Sequence, residues 1–521
     1  MAYGRPCATE IDDWNEKLGI AGWSWADLLP YFRRSERLEV AQDKMGDQDR
    51  LECPLDPALH GLAGPIHTSI GTWQAPFEKV LLPALGEISG LPPPVEPYGG
   101  SHTGFYRSLF TTDRTGKPTR SYAASGYLAP LIGRTNLKIM TNTVVCNVIL
   151  KRQEDGSLVA KGVNLQNNGN SYAAFANKEI IISAGSVKSP QILELSGIGD
   201  PAILKTSKIH CLVPNRNVGS NLQEHTMSAV VYELASGSIS TDSVFLDPGL
   251  AKIHERLYLE SHSGIFSGTT SLTGYVQYSS LVDQKQYKDT IACITERSVS
   301  STGQETIPHQ NDRFQEQQRQ AIVARMRDPQ SPDIQLIGFP ANFDIARGRS
   351  DCGNLITGPP KGCGPCYTLI VSNMYPVSRG SVHIRSADPN DSPSIDPGFS
   401  SHPADVQILS SAVGFADRVF RSSNLRAHVA RRVDPPEEVD LQDQDNAQRF
   451  IRDRIATYHH MLGTCAMGQV VDDRLRVKGV QGLRVIDASV LPMQISAAIV
   501  ATVYAVAEKA ASMILEDYKP R

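Results

Sequence analysis

Two adjacent histidines, His459 and His460, precede Gly-Thr-Cys in the segment YHHMLGTC and are candidates for acid–base chemistry. The pKa of histidine lies near neutrality, so its imidazole accepts a proton at working pH, and imidazole is also the commonest metal ligand. Adjacent side chains point in different directions on a strand or a helix. We therefore expect only one of the two to reach a reacting atom and the other to pack against its neighbours.

The nine cysteines are an odd number and are thinly spread, which argues against a disulfide framework. Cys363 and Cys366 form a C-x-x-C pattern, but they stand in a Gly/Pro-rich loop without the strand-then-helix context of a redox site. We interpret them as loop cysteines, open to a disulfide with Cys352 or with each other. No metal site is predicted.

Length and composition indicate a soluble globular protein of two domains. The chain has 521 residues, 40% of them apolar and 20% charged, and a net charge of −4. That charge does not favour nucleic acid or an anionic membrane as a partner. The most apolar run, ISAAIVATVYAVA, is too short for a transmembrane helix, and the N-terminal residues lack the apolar region of a signal peptide, so no compartment is indicated.

The pattern of apolar residues predicts mixed elements. Residues 11–36 are typical of two short helices around a Gly-Trp turn. The run KEIIISAG predicts a buried parallel strand, followed by a helix that starts at Ser189-Pro190 and stops at Gly197. The stretch NDRFQEQQRQAIVARMRD predicts a charged surface helix, and the C-terminal stretch SAAIVATVYAVAEKAASMILEDY predicts a long, largely buried one.

Four stretches in this order resemble a known family: SAGSVKSPQILELSGIG, NVGSNLQEH, YHHMLGTCAMG and GLRVIDASVLPMQISAAIVATVYAVAEKAA. They are similar to the signatures of the glucose–methanol–choline (GMC) flavoprotein oxidoreductases, and most similar to the aryl-alcohol oxidase and glucose oxidase branch. The resemblance covers nearly the whole chain. It implies FAD as cofactor and a mixed α/β fold, with a Rossmann-like FAD-binding domain and a second, substrate-binding domain on an antiparallel sheet.

The resemblance also suggests domain boundaries. Residues 1–60 are expected to form an N-terminal flavin-covering segment, 130–225 and 451–521 a discontinuous FAD-binding domain, and 61–129 and 226–450 the substrate domain. The family's G-x-G-x-x-G fingerprint, whose glycines let the backbone approach the pyrophosphate, is not found in the sequence. The Rossmann-like domain is therefore expected to be incomplete at its N-terminus, and the chain is expected to bind FAD weakly.

The family's motifs assign roles to particular residues. In the family, two residues separate the catalytic histidine from Gly-Thr, which identifies His460 here and places His459 at a packing position. As proton acceptor, His460 would take the hydroxyl proton of an alcohol while a hydride leaves carbon for flavin N5. The resemblance implies cofactor contacts at Val145 (adenine), Asp487, Ala488, Ile499 and Val500.

One position departs from the family. A second polar residue near the flavin, His or Asn in the family, corresponds by count to Ala498, which offers no hydrogen bond. The loss of such a group costs roughly a hundredfold in rate. Gln494 and Ser496 are candidates to replace it.

The resemblance predicts an FAD-dependent dehydrogenase or oxidase that acts on the CH–OH group of a small aromatic or polyketide-derived alcohol, in fungal secondary metabolism. One alternative is a flavin-bearing cyclase or dehydratase without net redox chemistry, and another is an inactive truncated member of the family. Neither nucleic acid nor a membrane is an expected partner, and the oligomeric state is left open.

Overall fold

The computed structural model describes residues 2–39, 51–116, 118–268, 272–296 and 310–519. The ten longest helices in these ranges are α1 (Ala8–Glu16), α2 (Trp25–Ser35), α3 (Glu78–Ser89), α4 (Gly185–Leu195), α5 (Pro248–Ser261), α6 (Gln284–Thr295), α7 (Gln310–Arg327), α8 (Pro403–Arg421), α9 (Gln444–Arg454) and α10 (Val500–Asp517).

Twelve strands form the seven-stranded sheet, the three-stranded sheet and the pair of β5 with β12: β1 (Gly104–Arg107), β2 (Thr143–Arg152), β3 (Leu158–Asn167), β4 (Asn170–Phe175), β5 (Ile180–Ile182), β6 (Thr226–Leu234), β7 (Leu272–Val276), β8 (Ile334–Phe339), β9 (Cys366–Asn373), β10 (Val429–Asp434), β11 (Ala456–Thr457) and β12 (Leu483–Val485). Short strands also pair Ala2–Tyr3 with Leu109–Phe110, Glu36–Leu38 with Ile66–Thr68, Thr112–Asp113 with Thr119–Arg120, Ile198–Gly199 with Val213–Pro214, and Ser381–His383 with Ser394–Asp396.

Strands β5 and β12 pair in parallel, and α4 follows β5 directly. The helix begins at Gly185, so the predicted start at Ser189-Pro190 is wrong by one turn. Gly185 has φ +79°, which lets the chain turn sharply from strand to helix. The end at Gly197, φ +81°, is as predicted. Ile181 of β5 is 44% exposed, so this strand is less buried than expected.

The largest sheet is antiparallel, in the order β10-β6-β9-β8-β7-β1, with β11 also on β6. Because side chains alternate along a strand, the sheet has two faces. One face packs on α8, where Tyr232 stacks on Phe420 with 4.3 Å between ring centroids. The other face, here called the site face, carries a separate apolar cluster: Met227, Ala229, Ile337, Phe343, Ile345, Ile370 and Ala456, with Phe339, Leu355 and Tyr458 packed against it.

Helix α7 is not the surface helix that its charges predict. Phe314, Ile322 and Met326 are buried at intervals of four and eight residues, which gives the helix an apolar stripe that the many charged and amide side chains obscure in the sequence. Arg325 is also buried. Its guanidinium donates to Asp13 Oδ2 (2.9 Å) and to the carbonyl of Gln494 (3.0 Å), and thereby joins α7 to α1 and to the loop before α10.

The mixed α/β class and the antiparallel sheet are as predicted, and the two N-terminal helices α1 and α2 are confirmed. The C-terminal helix α10 is buried as far as Ala510, whereas Leu515 in its last turn is 68% exposed. In the described part of the chain, no helix has both the length and the apolar character needed to cross a membrane. The domain boundaries given above stay a prediction.

Candidate active site

His460 lies after β11 and is held through its backbone by two side chains distant in sequence. Its N–H donates to Glu224 Oε1 (2.7 Å), and its carbonyl accepts from Gln494 Nε2 (2.8 Å). The imidazole is half-buried, with its ring centroid 4.7 Å from that of Tyr458. Because Tyr458 packs on the apolar cluster of the site face, His460 stands at the edge of this face.

The imidazole of His460 meets a second histidine, His225, with 2.9 Å between the two Nδ1 atoms. His225 is fully buried, and its Nε2 lies 3.2 Å from the carbonyl oxygen of Met374. A carbonyl only accepts, so His225 carries its proton on Nε2 and its Nδ1 is an acceptor. His460 must then donate from Nδ1, which leaves the lone pair of His460 Nε2 available.

Burial keeps both imidazoles neutral. It lowers the pKa of His225 to about 4. Burial, followed by the neighbouring His225 and His459, lowers the pKa of His460 well below its ordinary 6.5. Glu224 behaves in the opposite sense, since burial raises the pKa of this carboxyl to about 7. At neutral pH the site therefore presents an uncharged His460 that is able to accept a proton.

His459 does not pack against its neighbours in the way that the sequence predicts. It is exposed and has φ +62°, a left-handed conformation, so it does not pack in the interior. Its Nε2 lies 3.6 Å from the thiol of Cys352. The left-handed residue turns the chain so that the two neighbouring side chains diverge, which agrees with the expectation that only one of them reaches the site.

The two candidates to replace the polar group missing at Ala498 are already engaged. Gln494 binds the carbonyl of His460, as described above. The Ser496 hydroxyl contacts Glu10 Oε1 and lies 3.0 Å from His102 Nε2, while its N–H donates to Glu10 Oε2 (2.7 Å). Ser496 and Gln494 therefore hold the loop before α10 in place, and Gln494 Oε1 has no hydrogen-bond partner among the described residues.

Asp487 joins the end of β12 to the start of α4. Its Oδ2 accepts from the Gly185 N–H (2.9 Å) and the Ser189 hydroxyl (2.5 Å), and its Oδ1 accepts from the Ser489 N–H (2.8 Å). Because the carboxylate is taken up by these contacts, a cofactor contact at Asp487 would come from the backbone. Ala488 follows in a short turn and is half-buried.

The remaining predicted cofactor residues lie at accessible positions. Val145 on β2 is 36% exposed and lines an apolar cavity of about 420 Å³ that reaches the end of β5 at Ala184. Ile499 precedes α10 without a side-chain cap, and Val500 is the first residue of that helix. The N–H groups of the first helical turn lack helical partners and carry partial positive charge, which suits a polar or anionic ligand atom.

A cluster with metal-binding residue types occurs away from His460. One ligand atom each from Glu39, His67 and Asp113 lies within 4.8 Å of the others. His67 contacts the Glu39 carboxylate directly, and Asp113 accepts from Thr115. These contacts explain the cluster as an ion-pair network. Cys352, Cys363 and Cys366 are all free thiols in the structure. Cys366 is the buried first residue of β9, so its predicted place in a loop is wrong.

Sequence reasoning did not assign roles to Glu224 and His225, although both stand in the quoted segment NVGSNLQEH. The pair immediately precedes β6, and the strand brings it to the segment around His460. An acidic residue and a histidine directly before an apolar strand are a sequence signal for residues of an active site. Only the fold, however, shows which residue they contact.

Comparison with known proteins identifies the family of the chain. Two family models, both described as GMC oxidoreductase, match residues 1–227 and 376–507. The chain is 55% identical over 517 residues to dehydrogenase mpl7 of Monascus purpureus, an alignment that covers 99% of this chain and 82% of the relative.

Two solved structures share the fold of this chain. An FAD-dependent oxidoreductase from Chaetomium thermophilum superposes with a TM-score of 0.86 at 26% identity, covering 99% of this chain and 84% of that one. A fungal aryl-alcohol oxidase, at 22% identity, shares the fold with a TM-score of 0.82, covering 99% and 84% of the two chains. The chain belongs to the GMC oxidoreductase family.

Proposed function

We propose that this GMC oxidoreductase oxidises an alcohol to a carbonyl compound, with His460 Nε2 as acceptor of the hydroxyl proton. The alcohol loses that proton from oxygen and a hydride from carbon. FAD is the cofactor of the chain, as the resemblance predicts, and when bound it supplies the acceptor for the hydride.

The observation that carries the proposal is the pair of contacts made by His225, whose Nε2 lies 3.2 Å from the Met374 carbonyl oxygen and whose Nδ1 lies 2.9 Å from His460 Nδ1. The Met374 carbonyl places a proton on His225 Nε2, and His225 Nδ1 in turn places a proton on His460 Nδ1. The basic nitrogen of His460 is thereby left free, and general-base catalysis requires such a positioned acceptor. A histidine that merely packs in the core does not need this arrangement.

The residues present fit the adenine and flavin ends of FAD. We propose that Val145 contacts the adenine end in its apolar cavity, and that the backbones of Asp487 and Ala488 lie along the cofactor. Ile499 and Val500 would offer the uncapped N–H groups of α10 to the flavin. These groups are free to bind because no side chain of the described residues caps the helix. The chain itself binds and orients the cofactor at these points.

The site face supports an aromatic alcohol as substrate. Phe339, Phe343 and Tyr458 belong to its apolar cluster, and Phe339 and Phe343 meet edge to face with 5.3 Å between ring centroids. Such a wall binds a flat apolar ring and excludes water. The relatives from Monascus are fungal dehydrogenases, which supports a role in fungal secondary metabolism.

The test compares the two neighbouring histidines in FAD-loaded protein. His460→Ala should lower the rate of flavin reduction by benzyl alcohol, measured anaerobically, by about a hundredfold or more, the usual effect of removing a positioned base. His459→Asn is the matched control, because asparagine tolerates the left-handed conformation, and it should keep most of the rate. Equal losses in the two folded variants would refute the assignment.

A further inference from the structure

A polar pair interrupts the apolar surface of the site face. Tyr275 on β7 and Gln335 on β8 are directly opposite each other in the sheet register, and Gln335 shares its face with Ile337 two residues later. Both polar side chains are nearly inaccessible, at 2% and 4% exposure. They therefore stand on the same face as the aromatic wall and His460.

The hydrogen bonds of the pair leave one acceptor unused. Gln335 Nε2 donates to the Tyr275 hydroxyl (2.7 Å) and to Thr273 Oγ1 (3.3 Å), while Thr273 donates to the carbonyl of Leu336 (3.5 Å). In this orientation of the amide, both contacts of Gln335 are made by Nε2. Gln335 Oε1 is then left without a hydrogen-bond partner among the described residues.

The Tyr275 hydroxyl complements that acceptor. It accepts from Gln335 and can still donate its own proton, since burial raises its pKa well above 10. An acceptor and a donor side by side match a hydroxyl group, which has both functions. Buried polar atoms without partners are rare in folded proteins, and a bound ligand is one explanation for them.

The pair also adjoins the loop of Ala498. A Cβ atom on Gly4 would lie 3.8 Å from the Ala498 nitrogen and 3.9 Å from the Tyr275 hydroxyl oxygen. Across the sheet, Gln335 is opposite Ser372, which is opposite Met227, two residues after His225. From strand spacing and rise, the Cα atoms of Gln335 and His225 are about 12 Å apart.

We propose that Tyr275 and Gln335 form a subsite for a second hydroxyl group of the substrate, at the end of the molecule opposite the carbon that is oxidised. Gln335 Oε1 accepts the proton of this hydroxyl, and the Tyr275 hydroxyl donates to its oxygen. The substrate class is thereby narrowed to aromatic alcohols that carry a phenolic hydroxyl. Only the oxidation step of this inference rests on the proposed function.

Binding and oxidation are measured separately with two probes, para-hydroxybenzyl alcohol and para-methylbenzyl alcohol. In FAD-loaded wild-type protein, calorimetric titration should show a Kd at least about tenfold lower for the hydroxyl probe, because a site built for a hydroxyl leaves polar groups unpaired with the other probe. Gln335→Met should abolish this preference, whereas Gln481→Met, a change at an exposed glutamine, should retain it.

Tyr275→Phe removes a single oxygen atom and gives a second test should Gln335→Met fail to fold. Equal Kd values for the two probes in the wild type, or an unchanged preference in both variants, would overturn the subsite. Flavin reduction by the probes is recorded in parallel. Tight, hydroxyl-selective binding without flavin reduction would contradict the proposed function and leave the subsite standing.

Discussion

The pairing of His225 with His460 predicts opposite outcomes for two similar substitutions. The amide of an asparagine at position 225 reaches the place of His225 Nδ1, so His225→Asn keeps an acceptor for His460. The longer glutamine reaches the place of Nε2, so His225→Gln keeps the contact with the Met374 carbonyl and loses the acceptor. Both residues are neutral and polar, which makes them matched variants.

The magnitude follows from the 2.9 Å hydrogen bond between the two imidazoles. A buried donor left without an acceptor costs about 1–3 kcal/mol. In His225→Gln the hydrogen bond from His460 Nδ1 is lost, so its free energy no longer favours the form of His460 that carries the proton on Nδ1. At about 1.4 kcal/mol per factor of ten, the ratio of Nδ1-protonated to Nε2-protonated His460 falls by about 5- to 150-fold, and flavin reduction slows as the reactive share of His460 falls. In His225→Asn only the bond to Met374 is lost, about 1 kcal/mol of stability.

The assay is the anaerobic rate of flavin reduction by benzyl alcohol in FAD-loaded protein, with thermal unfolding as a check on the fold. We expect His225→Gln to be slow with a nearly unchanged KM, because substrate binding does not involve the lost bond. His225→Asn should react within about threefold of wild type and melt at a lower temperature, in line with the lost bond. Similar rates in the two variants, or a slower asparagine variant, would refute the tautomer argument.

Two further predictions concern stability. Burial raises the pKa of Glu224 from 4.5 to about 7, so between these pH values the folded state holds a proton that the unfolded state releases. The protonated carboxyl therefore stabilises the folded state by about 3 kcal/mol. This stabilisation is fully present below pH 4.5 and is lost as the pH rises through 7. Urea unfolding should show that the stability difference between wild type and Glu224→Gln changes across this window, and a constant difference would contradict it. Arg325→Met leaves the Asp13 carboxylate with the partly exposed Lys17 as its remaining ion-pair partner and should cost about 1–3 kcal/mol in the free energy of unfolding. The exposed Arg327→Met on the same helix should cost less than about 0.5 kcal/mol. Equal losses in the two variants would exclude the role given to Arg325.

Local patterns in the sequence identify many elements of this fold, because each such element follows from its own residues. Helices α1 and α2 and the end of α4 at Gly197 are of this kind. The start of α4 is different, since Ser189 is held inside the helix by Asp487, a residue from another part of the chain. Helix α7 is misjudged for a related reason, because its buried Arg325 is paired with Asp13 of α1.

The candidate site shows the same limit. Counting from Gly463-Thr464 indicates His460, but no count reveals the proton on its Nδ1, which depends on His225 and on the Met374 carbonyl behind it. Each of these groups comes from a different segment, brought together by β6, β9 and β11 of one sheet. Whether His460 Nε2 is free to accept a proton thus depends on how these strands meet at the edge of the sheet. A substitution anywhere that shifts β6 against β9 should impair the base before it unfolds the protein.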